Sequence, residues 1–255
     1  MCMLFAVSSP RELTINNYLK SFYAFSDKHP HGWGLACVDT NNITVEKESI
    51  SAGKSNFLKE RLSEPIETKL LLAHIRYATI GNIEHKNCHP FRGKDNRLRH
   101  WVLIHNGTIF DYPPLSKYTK IQKGDTDSER IFLYLLDKIN ERQTDSRLAF
   151  DERFDLIESI VRDMAPNNKL NLIFTDGKYL YVHTNCRDTL YYLEKDGSTF
   201  FCTAPITNEN WKKLPFCTLL AYKNGKLFRE GAPHTGEYIE SPENIKLLYQ
   251  IFSNF

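Results

Sequence analysis

The second half of the chain is a run of short apolar stretches separated by tight-turn dipeptides, and this limits the fold more than any other feature. Leu170 to Thr175 and Tyr179 to His183 flank Asp176-Gly177; Leu190 to Leu193 and Phe200 to Thr203 flank Asp196-Gly197; Leu219 to Tyr222 and Lys226 to Phe228 flank Asn224-Gly225. Such pairs tolerate the positive φ angles of a short hairpin turn, so each predicts two antiparallel strands. Helical patterns occur among the strands without the regular alternation that builds a parallel sheet. The expected class is α+β, with stacked, mostly antiparallel sheets covered by helices. With 41% hydrophobic content, 255 residues can bury a large core, and no proline- or glycine-rich linker divides them, so a single domain over 1–255 is expected.

The first half supplies further elements. Leu4 to Val7 is an apolar run suited to a buried strand, which would hold Cys2 at a strand end. Ser9-Pro10-Arg11-Glu12 has the form of a helix start, with Ser9 as N-cap, Glu12 closing a capping box, and Ile15, Leu19, Phe22 and Tyr23 continuing at helical spacing. His31-Gly32-Trp33-Gly34 reads as a loop entering a buried strand. Leu70 to Thr79 alternates so that Leu70, Leu72, His74 and Arg76 share one face and Leu71, Ala73, Ile75 and Tyr77 the other; both are largely apolar, so the strand is sandwiched. Thr126 with Glu129 forms a second capping box, opening a helix lined by Ile131, Leu135 and Ile139. Phe154, Ile157, Val161 and Met164 mark another.

Several residues invite chemistry. Removal of the initiator methionine would give Cys2 both a thiol and a free α-amino group, a nucleophile beside its own base. Arg76, toward the end of a sandwiched strand, needs a partner, which is either a structural carboxylate or a substrate carboxylate. Asn106-Gly107 ends an apolar strand, Trp101 to Thr108; it is a turn, or else an oxyanion hole made by the Asn106 amide and the Gly107 N–H. Asp127 falls in a first helical turn, where the dipole favours its charge; it could also meet an ammonium group. Ala52-Gly53-Lys54-Ser55 imitates a phosphate-binding loop, but Glu48 stands where the motif needs glycine. His85, Cys88 and His89 lack the second ligand pair of a zinc site, so no metal is expected.

A net charge of +2 gives no sign of a nucleic-acid or acidic-lipid partner. The six cysteines have no framework spacing and read as reduced thiols of an intracellular, cytoplasmic protein. No signal peptide or spanning apolar run is apparent.

Cys2, His74-Ile75-Arg76-Tyr77-Ala78-Thr79, His105-Asn106-Gly107 and Thr126-Asp127-Ser128-Glu129, in that order, resemble the signature of class II glutamine amidotransferases. His31-Gly32-Trp33-Gly34, His89-Pro90-Phe91, Thr175-Asp176-Gly177 and Ala204-Pro205-Ile206-Thr207 with Trp211 are similar to the stand-alone YafJ-type branch. The resemblance implies the N-terminal nucleophile hydrolase fold, a four-layer αββα sandwich. It also implies that Arg76 holds the α-carboxylate of glutamine and Asp127 its α-ammonium, with backbone around Tyr77 and Thr79 completing the pocket. Cys2 would attack the side-chain amide, Asn106 and Gly107 would stabilise the oxyanion, and no cofactor would be needed. No residues remain for the acceptor domain of better-known members, so the ammonia would pass to a separate acceptor or synthase subunit, or be released. The substrate would be glutamine or a bulkier γ-glutamyl amide; a regulatory subunit that kept the fold without the chemistry is the alternative.

Overall fold

The computed structural model of the protein describes residues 2–39, 42–244 and 246. In chain order the strands are β1 (Met3–Thr14), β2 (Trp33–Val38), β3 (Ile43–Glu48), β4 (Glu67–Ile75), β5 (Phe91–Lys94), β6 (His100–Thr108), β7 (Lys169–Thr175), β8 (Leu180–His183), β9 (Tyr191–Lys195), β10 (Ser198–Cys202), β11 (Lys212–Lys213), β12 (Leu220–Lys223) and β13 (Lys226–Glu230). The α-helices are α1 (Asn16–Tyr23), α2 (Asn56–Ser63), α3 (Asp127–Arg142) and α4 (Phe150–Met164).

Two sheets form, one ordered β11-β9-β10-β1-β4-β2-β3 and the other β13-β12-β8-β7-β6-β5. Their strand pairs are antiparallel. All three Asx-Gly pairs predicted as turns join neighbouring strands: β7 to β8, β9 to β10 and β12 to β13.

Alternation along each strand sorts the core into three apolar layers. Leu4, Ala6, Leu70 and Leu72 from the first sheet meet Val102, Ile104 and Val182 from the second. On the outer face of the first sheet, Phe5, Leu71 and Ala73 pack against Leu19 and Phe22 of α1 and Leu58 of α2. On the outer face of the second, Trp101, Leu103 and Phe174 pack against α3 and α4, which present Ile131, Leu135, Ile139, Phe154, Ile157, Val161 and Met164 as their periodicity predicts. The order is helix, sheet, sheet, helix, the expected αββα sandwich.

Three local expectations are corrected. Ser9 does not cap a helix: β1 runs on to Thr14, and the β1–β4 ladder is interrupted between Ser8 and Leu13 and resumes with Leu13 opposite Thr68. Ser9 Oγ accepts from the Arg11 N–H at 3.2 Å, so the Ser-Pro signature shapes a bulge, where a proline without an N–H costs the ladder least. α1 starts later and has no side-chain cap at Ile15. At α3 the Thr126 hydroxyl does accept from Glu129 N, but the Glu129 carboxylate turns to the N–H groups of Lys123 and Gly124, which leaves the box half formed. Finally, Asn106-Gly107 is not a turn; β6 continues through both residues, with Asn106 opposite Asn171 and Gly107 opposite Leu170.

Candidate active site

The site follows from strand register. Met3 pairs with Ile75, so Cys2 arrives beside Arg76 and Tyr77 where β1 begins and β4 ends. The face carrying Leu4 and Ala6 points between the sheets, and Cys2 continues that face. On β4 the same argument turns His74 and Arg76 inward with Leu70 and Leu72. On β6 it turns Asn106 inward with Val102 and Ile104. The interlayer space thus receives Cys2, Arg76 and Asn106 at one end of the sandwich.

Cys2 is half-buried, and its Sγ lies 3.3 Å from both the backbone nitrogen and the carbonyl oxygen of Tyr77. Burial pushes the thiol above its ordinary range. The Tyr77 contact and the charge of Arg76 oppose that shift, and the charge of Asp127 adds to it, so both charged residues lie close enough to act on the sulfur.

The Arg76 guanidinium, in a residue only 2% exposed, donates to Asn82 O (2.8 Å), Ile80 O (3.1 Å) and Gly81 O (2.9 Å). Among the described residues no structural carboxylate pairs with it; carbonyls receive it. Three of five guanidinium hydrogens are thereby engaged, leaving two. Such a tight wrap needs Gly81, whose φ is +83° and where a Cβ would lie 2.6 Å from Asp125 Oδ1. Asp125 in turn accepts from Asn82 Nδ2 at 2.9 Å, and the fully buried Asn87 bonds both to Asp125 and to Asn82 O.

Asp127 Oδ2 accepts from Ile109 N and Oδ1 from Ser128 N, at 2.9 and 2.8 Å, so backbone donors hold a buried carboxylate in place. A carboxylate has roughly four acceptor sites, and capacity remains. Asn106 is 2% exposed, and its carboxamide has no hydrogen-bond partner among the described residues. At Gly107 a Cβ would lie 1.8 Å from Lys169 O; only glycine lets β6 and β7 approach so closely there. Thr79, half-buried, leads into the 80–82 loop and shows no hydrogen bond to Cys2.

Two histidines support this end. His74 Nε2–H donates to His105 O at 3.3 Å, tying the two sheets together, and burial holds this ring neutral, with a pKa lowered to about 3. His105, one residue along from Asn106, faces the helix layer. Burial lowers its pKa too, and the neutral ring satisfies both neighbours: Nε2–H donates to Lys169 O, and Nδ1 accepts from the Ser128 hydroxyl at 2.9 Å. Ser128 has one proton, so its 3.3 Å contact with Asp127 Oδ1 is the weaker alternative. His89 stacks on His74 with ring centres 4.1 Å apart, whereas Cys88 Sγ turns to the carbonyls of Glu48 and Glu84. Among the described residues, no group of three or more His, Cys, Asp or Glu side chains converges as a metal site.

A family model described as glutamine amidotransferases class-II matches residues 1–198. The chain belongs to that family. Among its relatives is an uncharacterized protein of Methanocaldococcus jannaschii, 28% identical over 89% of this chain and 70% of its own length. YafJ of Escherichia coli is 26% identical over 73% of this chain and 82% of its own. The glutamine phosphoribosylpyrophosphate amidotransferase of B. subtilis superposes with a TM-score of 0.68 over 90% of this chain and 48% of that one; at 14% identity this shows the shared fold.

For a class II amidotransferase chain, the sequence motifs named the elements that converge but not the scaffold beneath them. Asn87 and Asp125, which clamp the Arg76 loop, carry no motif signal and are found only in three dimensions. Among the described residues, no helix of this amidotransferase is long and apolar enough to cross a membrane.

Proposed function

We propose that the protein hydrolyses a γ-glutamyl amide through a thioester on Cys2, with glutamine the default substrate. Register and face place Cys2, Arg76 and Asn106 in one interlayer space, with the charges of Arg76 and Asp127 both felt at the sulfur, and that convergence carries the reading. The two remaining Arg76 hydrogens take the α-carboxylate. Asp127 takes the α-ammonium, and the backbone from Tyr77 to Thr79 closes the pocket.

A thiol raised by burial is protonated near neutrality, so the reaction needs a base. Met1 lies outside the described residues; once it is removed, the α-amine of Cys2, with a reference pKa of about 7.7 to 8.0, serves. Sulfur bonds to the amide carbon, the C–N bond breaks, and the thiol proton leaves with the amine. Water then cleaves the thioester, giving glutamate and, from glutamine, ammonia. Asn106 and the Gly107 N–H stabilise the tetrahedral oxyanion. The six cysteines are unpaired, which supports a cytoplasmic setting. A separate acceptor or synthase subunit is the destination we propose for the ammonia if it is not simply released.

One observation favours a bulkier leaving amine. Tyr77, whose backbone holds the sulfur, has its ring beside His31 (5.1 Å between centres) and His29 (6.3 Å), an aromatic wall next to a clamp that reads only the glutamyl end. Ammonia release from glutamine is to be compared with turnover of larger γ-glutamyl amides. An electrophilic glutamine analogue should label Cys2 in protein whose intact mass confirms loss of Met1. Failure to label such protein would overturn the reading.

A further inference from the structure

The end of the interlayer space remote from Cys2 is open and has a character of its own. Along β1 the inward face passes from Cys2 through Leu4 and Ala6 to Ser8, about 20 Å away at the usual strand rise. There a cleft of about 920 Å³ lies between the start of β4, the start of β6, the β7–β8 turn and the β12–β13 turn. Lys69, Arg99, Arg147, Lys178 and Lys223 line it, together with Arg153. Arg153 is paired at 2.6 Å with Asp176, so that couple is neutral. The remaining five cations face one lining carboxylate, Asp39, in a chain whose net charge is only +2.

Two features make this more than a basic surface. Arg99 Nη1 is buried without a hydrogen-bond partner among the described residues, and so is Nδ1 of the adjacent His100. Burial is the main cause that depresses Arg99 below its usual range, with the Arg153 charge adding to it and those of Asp176 and Asp95 opposing it, so an anion beside the guanidinium would offset part of the desolvation. The cleft also has an aromatic floor. The Phe150 and Tyr179 rings lie 4.1 Å apart, and the ammonium groups of Lys178 and Lys223 sit 5.8 and 5.5 Å from the Tyr179 ring centre. The volume is that of a site for a small organic molecule and far exceeds a single inorganic ion. A guanidinium with ammonium groups around it is the donor set that recognises phosphate.

We propose that this cleft binds a small phosphorylated organic molecule, its phosphates met by Arg99, Lys178 and Lys223 and its body laid against Phe150 and Tyr179. The site is separate from Cys2, and nothing in the proposed hydrolysis requires it.

Calorimetric titration of the full chain with adenosine diphosphate, pyrophosphate and citrate tests the assignment. The diphosphate is expected to bind saturably below millimolar concentration, pyrophosphate more weakly, and citrate at least tenfold more weakly than the diphosphate. The Lys178→Gln/Lys223→Gln double variant removes two charges beside the Tyr179 ring while keeping side chains of similar length there, and it should weaken diphosphate binding at least tenfold. Labelling of Cys2 by the electrophilic glutamine analogue should be unchanged in that variant, which shows that it folds. No saturable heat from either phosphate compound up to about 5 mM, equal affinity for citrate, tighter binding of a single-stranded oligonucleotide, or an unaffected double variant would each overturn the proposal.

Discussion

Arg76 and Arg153 are both buried, 2% and 3% exposed, yet their surroundings treat the charge in different ways. Arg153 on α4 has a carboxylate at 2.6 Å, the Tyr181 hydroxyl at 3.2 Å and the carbonyl of Leu148 at 2.9 Å. Its charge is cancelled within the fold. Among the described residues Arg76 bonds to carbonyls of the 80–82 loop, which orient it without supplying an opposite charge. Burying a charge is costly unless an opposite charge comes to it, so the two arginines teach where to look for a ligand. The completed pair is architecture, and the incomplete one is where we propose that the substrate carboxylate docks.

The largest expected effect tests the completed pair. Asp176→Asn leaves a buried guanidinium uncompensated and should lower unfolding stability by about 3–5 kcal/mol in urea titration, with turnover per folded molecule unchanged. A drop in that turnover would break the contrast between the two regions. Next, Asn106→Ala should reduce kcat by roughly 100-fold to 1,000-fold in an ammonia-release assay, with KM nearly constant, as follows from the proposal that the carboxamide acts only on the developing oxyanion. Arg76→Met should raise KM for glutamine by about 10-fold to 150-fold, the worth of a hydrogen bond between charged groups. An Arg76→Met enzyme with unchanged KM would show that the uncancelled charge serves no substrate.

A further effect is distributed over pH and is small near neutrality. Burial holds His74 and His183 neutral, with pKa values lowered from 6.5 to about 3. The unfolded chain therefore binds protons on these rings at higher pH than the folded one does. Folded stability rises with pH between about 3 and 6.5 and is lost on acidification, by about 1.4 kcal/mol per pH unit for each ring. His183→Gln should remove one ring's share of that slope and His74→Gln the other, measured by urea titration at stepped pH. Because His74 adjoins Arg76 and His183 does not, only the first should also alter the activity profile.

Much of this was readable in advance, for physical reasons that can be named. Hairpins were legible because Asp-Gly and Asn-Gly pairs fix turn geometry locally, and α3 and α4 because their buried stripes repeat with helical period. Ser9 misled because its hydroxyl can bond nearby backbone in a helix cap or in a bulge, and pairing with β4, about sixty residues away, decides which. Asn106-Gly107 was ambiguous for a similar reason: the glycine is demanded by the Lys169 carbonyl on β7, not by a local turn. The partners of Arg76 were hidden because backbone carbonyls leave no mark in residue type.

The bond from His74 to His105 joins the layer that carries the sulfur to the layer that carries the carboxamide. Attack geometry in this fold is thus a matter of how two slabs are pinned against sliding, and a single imidazole supplies one of the pins. Slippage of about an ångström between the slabs would spoil alignment while leaving each slab intact. Warming should then silence the catalyst before it melts, and a molecule wedged between the layers could inhibit it without ever touching the nucleophile.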